Sequence, residues 1–278
     1  MTDIDSLQPF YARDAQAVLA DPRFEDAHEA LLSALEAGIL RAAEPRVGSA
    51  GERTWHVNAW VKQAILLGFR QSAVVPMEGA PGAGSAFDKK GYPPRRLTAA
   101  DRVRPVPGGS AIRRGAHVAA GVVVMPPAYI NVGAYVGAGT MVDSHALVGS
   151  CAQIGERVHL SAGAQVGGVL EPAGARPVIV EDEAFVGGLV GLFEGVRVGA
   201  RAVLASGVVL TASTPIYDLV HGRELRGEVP EGAVLVPDSR PASGEFARER
   251  GLQVSAVLLV KIRDGRTDAA TALEEALR

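Results

Sequence analysis

The sequence predicts a mainly β solenoid of short strands, with a helical domain before it and a small α+β segment after it. Three observations predict the solenoid. Aliphatic residues recur every six positions, at Ile112, Val118, Val124, Ile130, Val136, Val142, Val148, Ile154, Leu160 and Val166, then again at Val180, Val186, Leu192, Val198, Leu204 and Leu210. Two positions earlier stand small or β-branched residues, among them Ala116, Ala128, Ala134, Thr140, Ala146, Ala152, Ala164, Ala184 and Ala202. Glycine often follows the aliphatic position, as at Gly137, Gly149, Gly155, Gly167, Gly187 and Gly199.

A six-residue step fits neither the helical period nor the alternation of a sheet broken by hairpins. It fits flat two-residue strands joined by tight corners, three hexads to a triangular coil. The aliphatic side chain points into the prism, and the residue two before it lies on the same pleat face near a corner, where only a small group fits. Glycine is expected to supply the positive φ that corners demand. Stacked coils then pair in parallel and bury one continuous column.

Between Val166 and Val180 the step fails, and Gly167 to Ile179 is expected to leave the prism as a loop. Loops on a rigid scaffold commonly carry binding groups. Ahead of the solenoid, Phe24, Leu31, Leu32, Leu35 and Ile39 mark one face of a helix. Val57, Trp60, Val61, Ala64, Ile65 and Gly68 mark a second. The stretch from about Gln71 to Gly109, rich in Gly, Pro and charge, reads as an irregular connector with a turn at Tyr92-Pro93-Pro94. Beyond Leu210, the runs Val234-Leu235-Val236 and Val257-Leu258-Leu259-Val260 read as strands, and Thr267 to Arg278 as a terminal helix. The expected divisions are 1–109, a helical domain and connector; 110–215, the solenoid with its loop at 167–179; and 216–278, the C-terminal strands and helix.

Composition narrows the function classes. The chain has 28 Lys and Arg against 31 Asp and Glu, a net charge of -3, and no basic run interleaved with aromatics, so nucleic acid is not an expected partner. No apolar run has the length of a membrane span, and the first residues lack the apolar stretch of a signal peptide. Cys151 is the single cysteine, which suits a reducing cytoplasm.

Specific motifs then carry a resemblance. Gly139-Thr140-Met141-Val142-Asp143, Val148-Gly149-Ser150-Cys151-Ala152-Gln153-Ile154-Gly155, Val158-His159-Leu160-Ser161 and Gly167-Gly168-Val169-Leu170-Glu171-Pro172 resemble the signature of the tetrahydrodipicolinate N-succinyltransferases. Trp60-Val61-Lys62, Leu66-Leu67-Gly68-Phe69-Arg70, Phe87-Asp88-Lys89 and Ala256-Val257-Leu258-Leu259-Val260-Lys261 extend the likeness over nearly the whole chain. The resemblance implies a left-handed parallel β-helix of hexapeptide repeats, assembled as a homotrimer with active sites between neighbouring prisms. It also implies transfer of succinyl from succinyl-CoA to the amine of ring-opened tetrahydrodipicolinate in lysine and diaminopimelate biosynthesis. No metal is expected.

The same resemblance assigns candidate residues. Asp143, just after an inward position and therefore at a corner, contacts the substrate amine and orients it or accepts its proton. Arg104 binds a substrate carboxylate, which a guanidinium fork suits, although Arg102, Arg113 and Arg114 lie close by. His145, where the family often has tryptophan, is expected to line the substrate cleft, with a role as a base the alternative. Gly163, Gly167, Gly168, Gly187 and Ala205 are candidates for the coenzyme's pantetheine arm, since small residues permit close approach, and Lys261 for a coenzyme phosphate.

There is one conspicuous departure. The family commonly carries Gly-Ala-Arg-Ser-Glu where this chain has Gly187-Gly188-Leu189-Val190-Gly191, so the arginine and a glutamate considered catalytic are absent. Asp143 is then the expected proton acceptor, with Glu171 or Glu194 as alternatives. Three further readings stay open: an N-acetyltransferase using acetyl-CoA, a non-catalytic scaffold subunit, and a zinc carbonic anhydrase drawing on His117, His145 and His159.

Overall fold

The computed structural model describes residues 4–48, 53–77 and 86–263. Residues 111–210 wind as a three-faced prism. Face one stacks Ala111–Ile112, Tyr129–Ile130, Leu147–Val148, Gln165–Val166, Gly191–Leu192 and Val209–Leu210. Face two stacks His117–Val118, Tyr135–Val136, Gln153–Ile154, Ile179–Val180, Arg197–Val198 and Glu228–Val229. Face three stacks Arg104–Pro105, Val123–Val124, Met141–Val142, His159–Leu160, Phe185–Val186 and Val203–Leu204, and ends on the strand Ala233–Pro241.

Within the prism each strand pairs in parallel with the strand one coil away, as Val118 with Val136 and Val136 with Ile154. All the predicted aliphatic positions point inward and are at most 5% exposed, and the small residues two before them are equally buried. Thr140, the polar member of that set, donates its hydroxyl to Gly155 O at 2.9 Å and accepts from Val158 N at 3.1 Å. The ladder is longer at both ends than the hexad signal: Arg104–Pro105 pairs with Val123–Val124, and Glu228–Val229 and Val234-Leu235 pair with Arg197–Val198 and Val203–Leu204.

The glycines after the aliphatic positions serve a different purpose from the one expected. Gly137, Gly149, Gly155, Gly167, Gly187 and Gly199 are not among the positive-φ residues. They lack room instead: a Cβ on Gly149 would lie 2.1 Å from Gly168 N, and one on Gly187 would lie 2.6 Å from Leu204 O. The left-handed conformation falls later in the corner, at Gly121, Gly133, Gly139, Gly163 and Gly207, but also at His145, Cys151, Arg157, Glu183, Leu189 and Arg201.

The N-terminal layer comprises helices α1 (Leu7–Tyr11), α2 (Ala15–Leu19), α3 (Phe24–Glu36) and α4 (Ala59–Gln71). Phe24, Ala27, Leu31, Leu32 and Leu35 form the buried stripe of α3. Gly38, at φ +72°, ends it, so Ile39 falls beyond the helix and is 70% exposed rather than on its face. Val57, expected on the second helix, ends the strand Arg53–Val57, which pairs with Ala43–Val47. The connector likewise holds a hairpin, Val74–Met77 with Ala86–Lys89. Strands this short are fixed by their partners and leave little periodicity to read.

The layer sits against face two and the corner between faces one and two. Arg41 lies 3.6 Å over the Tyr135 ring and donates to Gln153 Oε1 at 2.9 Å, and Trp55 Nε1 donates to Glu181 Oε1 at 2.8 Å. Val132 and Cys151 of the prism join the core of the helices. At the other end Ala233–Pro241 pairs antiparallel with Gln253–Ile262, with α5 (Glu245–Arg250) between them, and the sheet of face three continues through Ile216–Asp218 to Arg223–Leu225. The expected strands at Val234–Val236 and Val257–Val260 lie within this pair. The expected helix at 267–278 falls outside the described residues.

Gly149→Ala is expected to cost more than about 2 kcal/mol in denaturant unfolding, because backbone must move. Gly174→Ala, with nothing within 4 Å of its Cβ, should stay within about 0.5 kcal/mol. His28 is 7% exposed, stacked on Phe24, and burial pushes its pKa down to about 4. The unfolded chain therefore binds the extra proton between about pH 6.5 and 4, and stability should fall as pH drops through that window. His28→Gln should flatten that part of the stability curve.

Candidate active site

Five corners stack along the edge between faces three and one: 125–128, 143–146, 161–164, 187–190 and 205–208. Backbone bonds tie them into a column, with His145 N donating to Pro127 O, Gly163 N to Ser144 O, Leu189 N to Ala162 O and Gly207 N to Gly188 O. The hexad thus places Asp143, His145, Gly163, Gly187 and Ala205 on one edge, although they are far apart in sequence.

Asp143 is half-buried. Its Oδ1 accepts from Ser144 N at 2.7 Å, and its backbone N donates to Leu160 O. Its Oδ2 accepts nothing from the described residues, so the carboxylate is oriented through one oxygen and open through the other. His145 is exposed, in the left-handed conformation. A Cβ on Gly163 would meet Leu189 Cδ2 at 2.7 Å, and Ala205 is 5% exposed. Gln165, not singled out from the sequence, projects from face one onto the same edge. Its Nε2 donates to His145 O and Gly163 O, each at 3.1 Å. Its signal in the sequence is a long polar side chain at an outward hexad position.

Other candidates lie elsewhere. Arg104 is exposed on the first strand of face three, two coils below Met141, and its side chain makes no hydrogen bond among the described residues. Of the neighbouring arginines, Arg113 pairs with Asp88 and Arg114 with Glu29 and Glu36, while Arg102 is exposed. Lys261 lies opposite Val234 on the closing strand. Gly167 and Gly168 are not on the Asp143 edge. They root the loop at the edge between faces one and two, where a Cβ on Gly168 would lie 2.5 Å from Ser150 N, so chain packing alone demands glycine there.

Glu171 and Glu194, the alternatives for the missing glutamate, also lie at that second edge, and Glu194 accepts from Ala212 N at 3.3 Å. His117 is on face two against Tyr135, His159 on face three against Phe185, and His145 at the corner. No three metal-ligating side chains cluster among the described residues. Cys151 is fully buried and its thiol is pushed up to about 12 by burial, with the Lys62 charge opposing, which marks it as packing.

Lys62, part of the Trp60-Val61-Lys62 motif but given no role there, is fully buried on α4. Its Nζ donates to Ala175 O at 2.6 Å and Pro172 O at 3.2 Å, and burial lowers its pKa. Arg176 grips the other side of the loop, donating to Gly195 O at 2.8 Å and pairing with Glu228 at 2.7 Å.

A prism of stacked hexads with an oriented carboxylate on an open edge defines a protein of the hexapeptide-repeat transferase class, and residues 177–212 match the profile described as the hexapeptide repeat of succinyl-transferase. Residues 7–71 match the tetrahydrodipicolinate N-succinyltransferase N-terminal profile. A 2,3,4,5-tetrahydropyridine-2,6-dicarboxylate N-succinyltransferase from Rhodospirillum rubrum is 45% identical over 91% of this chain and 88% of its own length. One from Rhodopseudomonas palustris is 42% identical over 97% of this chain and 95% of its own. The chain belongs to the 2,3,4,5-tetrahydropyridine-2,6-dicarboxylate N-succinyltransferase family, and its prism is the left-handed parallel β-helix. Among solved structures, a putative 2,3,4,5-tetrahydropyridine-2-carboxylate N-succinyltransferase from Campylobacter jejuni aligns over 91% of this chain and 64% of its own, at 17% identity and a TM-score of 0.48.

Removing the Lys62 ammonium takes the donor from Pro172 O and Ala175 O and with it the tie between α4 and the loop. Lys62→Met is expected to speed protease cleavage within 169–176 while cleavage elsewhere keeps its wild-type rate.

Proposed function

We propose that this chain transfers succinyl from succinyl-CoA to the amine of ring-opened tetrahydrodipicolinate, giving N-succinyl-2-amino-6-oxopimelate for lysine and diaminopimelate biosynthesis. The observation that carries the reading is Asp143, a carboxylate held through one oxygen and open through the other, on an edge of stacked small corners.

The amine nitrogen attacks the thioester carbonyl carbon, the C–S bond breaks, and an amide forms. The amine loses one proton and the departing CoA thiolate gains one, so the step is balanced. Asp143 takes the proton as the C–N bond forms. Arg104 pairs with a substrate carboxylate, and its neighbours Arg113 and Arg114 are committed to ion pairs with the helical layer. His145 lines the acceptor side of the cleft. The coenzyme arm runs past Gly163, Gly187 and Ala205, where little side chain intervenes, and Lys261 meets a coenzyme phosphate. Because the edge is open in one chain, a second prism completes the cleft, and the working assembly is a homotrimer. No described helix is long and apolar enough to cross a membrane, and the cytoplasm supplies the CoA thioester.

Purified protein given the acceptor should release free thiol with succinyl-CoA and not with acetyl-CoA. The reverse pattern would make it an N-acetyltransferase, and silence with both donors would leave a scaffold. Asp143→Asn should lower turnover by at least about 100-fold, as loss of a positioned proton acceptor does, with unchanged thermal midpoint and oligomer size. Near-normal turnover in that variant would remove Asp143 from the mechanism.

A further inference from the structure

Gln165 stands directly in register with Gly191 on the adjoining coil of face one. Gly191 is the position at which the family resemblance places a glutamate. Here it is not merely vacant of a side chain: the Phe193 ring crosses it, and a Cβ on Gly191 would lie 2.6 Å from Phe193 Cε2. A carboxylate cannot return to that position unless the ring moves. The same ring lies 2.8 Å from where a Cβ on Gly167 would be, so it leans toward the edge between faces one and two, away from Asp143.

Gln165 leans the other way. Stacked strands are about 4.8 Å apart, a gap that a glutamine side chain spans, and this one reaches the Asp143 edge. Both groups bonded to its Nε2 are carbonyl oxygens, His145 O and Gly163 O. Since a carbonyl accepts and never donates, the amide orientation is fixed: the nitrogen faces the two corners and Oε1 faces away. Oε1 accepts nothing from the described residues. The amide therefore bridges the corner that carries Asp143 to the corner of the next coil, and presents one open acceptor beside them.

We propose that Gln165 supplies, from the neighbouring coil, the hydrogen-bond acceptor that this chain lacks at Gly191, and that its Oε1 holds one N–H of the acceptor amine. The inference rests on the acyl-transfer reading above. An attacking primary amine has two N–H bonds and one lone pair. With one N–H on Gln165 Oε1 and the other directed to Asp143, the lone pair is aimed at the thioester. A neutral amide cannot take the proton at ordinary pH, so Asp143 alone is the proton acceptor and Gln165 orients. A neutral group here also spares a substrate with two carboxylates a further negative neighbour.

Gln165→Ala and Gln165→Glu test this beside the wild type, with thiol release followed as the amine and succinyl-CoA are varied in turn. Gln165→Ala should lower kcat/KM for the amine about 10-fold, the scale of one hydrogen bond, with the KM for succinyl-CoA within about 2-fold of wild type. Gln165→Glu keeps an acceptor oxygen and gives up the donor. It should recover part of the loss, limited by the two carbonyls that then face a carboxylate and by its charge near the substrate, and add an ionisation to the acid limb of the pH profile. Equal impairment in both variants with a lowered thermal midpoint would reduce Gln165 to a corner brace, and wild-type kinetics in Gln165→Ala would give it no role. Either result overturns the proposal while the wild type still turns over. A wild type silent with both donors fails the acyl-transfer reading itself, and this inference with it.

Discussion

Everything else in the molecule depends on how closely one coil can sit on the next. At the corners, backbone touches backbone: the space beyond Gly149, Gly155, Gly187 and Gly199 is filled by main-chain atoms of the adjoining coil. At those corners the contact leaves no room for a Cβ, whereas the equivalent positions Asp143, Ser161 and Phe193 carry side chains in the same unbroken ladder. Along that ladder the aliphatic column packs without interruption, because each inward side chain stacks on its equivalents one coil above and below. The hexad is thus a record of an apolar interior repeated at every step and of bare corners at the coils where backbone meets backbone, and both are local enough to be written into sequence.

The same stacking turns remote residues into neighbours. Corners three hexads apart become a single edge, so that Asp143, Gly163, Gly187 and Ala205 line up with no loop needed to bring them together. What decides which edge is available is the packing of the flanks. The helical layer takes face two and the corner between faces one and two, where Arg41, Trp55 and Ile65 meet the prism. The C-terminal strand pair caps the end of face three. The edge between faces three and one is left open. Lys62 and Arg176 fasten the long loop to the opposite edge, so the one irregular excursion of the solenoid is anchored by a buried ammonium and a guanidinium rather than by apolar contact.

Much of this was legible in the sequence, for reasons that also mark where legibility stops. The inward positions from Ile112 to Leu210 and the exit of the chain after Val166 announce themselves, since each is a repeated local requirement or its failure. The strands at Arg53–Val57, Val74–Met77 and Arg104–Pro105 do not, because they are held by partners distant in sequence and are too short to show alternation. Ile39 continues the spacing of α3 but not its backbone, which Gly38 turns away. Asp143 could be placed at a corner from its neighbour Val142, yet the division of glycines between edges could not: Gly167 follows Val166 as Gly187 follows Val186, and only the phase of the coil assigns them to different edges. Lys62 and Gln165 were invisible as site residues because their partners are main-chain carbonyls, which no side-chain pattern reveals.

The absent glutamate is where that limit matters most. Read along the chain, Gly191 is a deletion of chemistry, and Glu194, three residues on, looks like the natural replacement. Read across the coils, Glu194 has turned onto the next edge and is engaged with Ala212, while the residue beside Gly191 is Gln165. In a solenoid the neighbour that can compensate for a lost side chain is one coil away rather than one residue away, and distance in the fold is counted in coils. A family motif with a missing member therefore says little about lost activity until the residues in register with the gap have been identified. Here they include an amide with an open oxygen, fixed by two carbonyls to the edge that carries the remaining carboxylate.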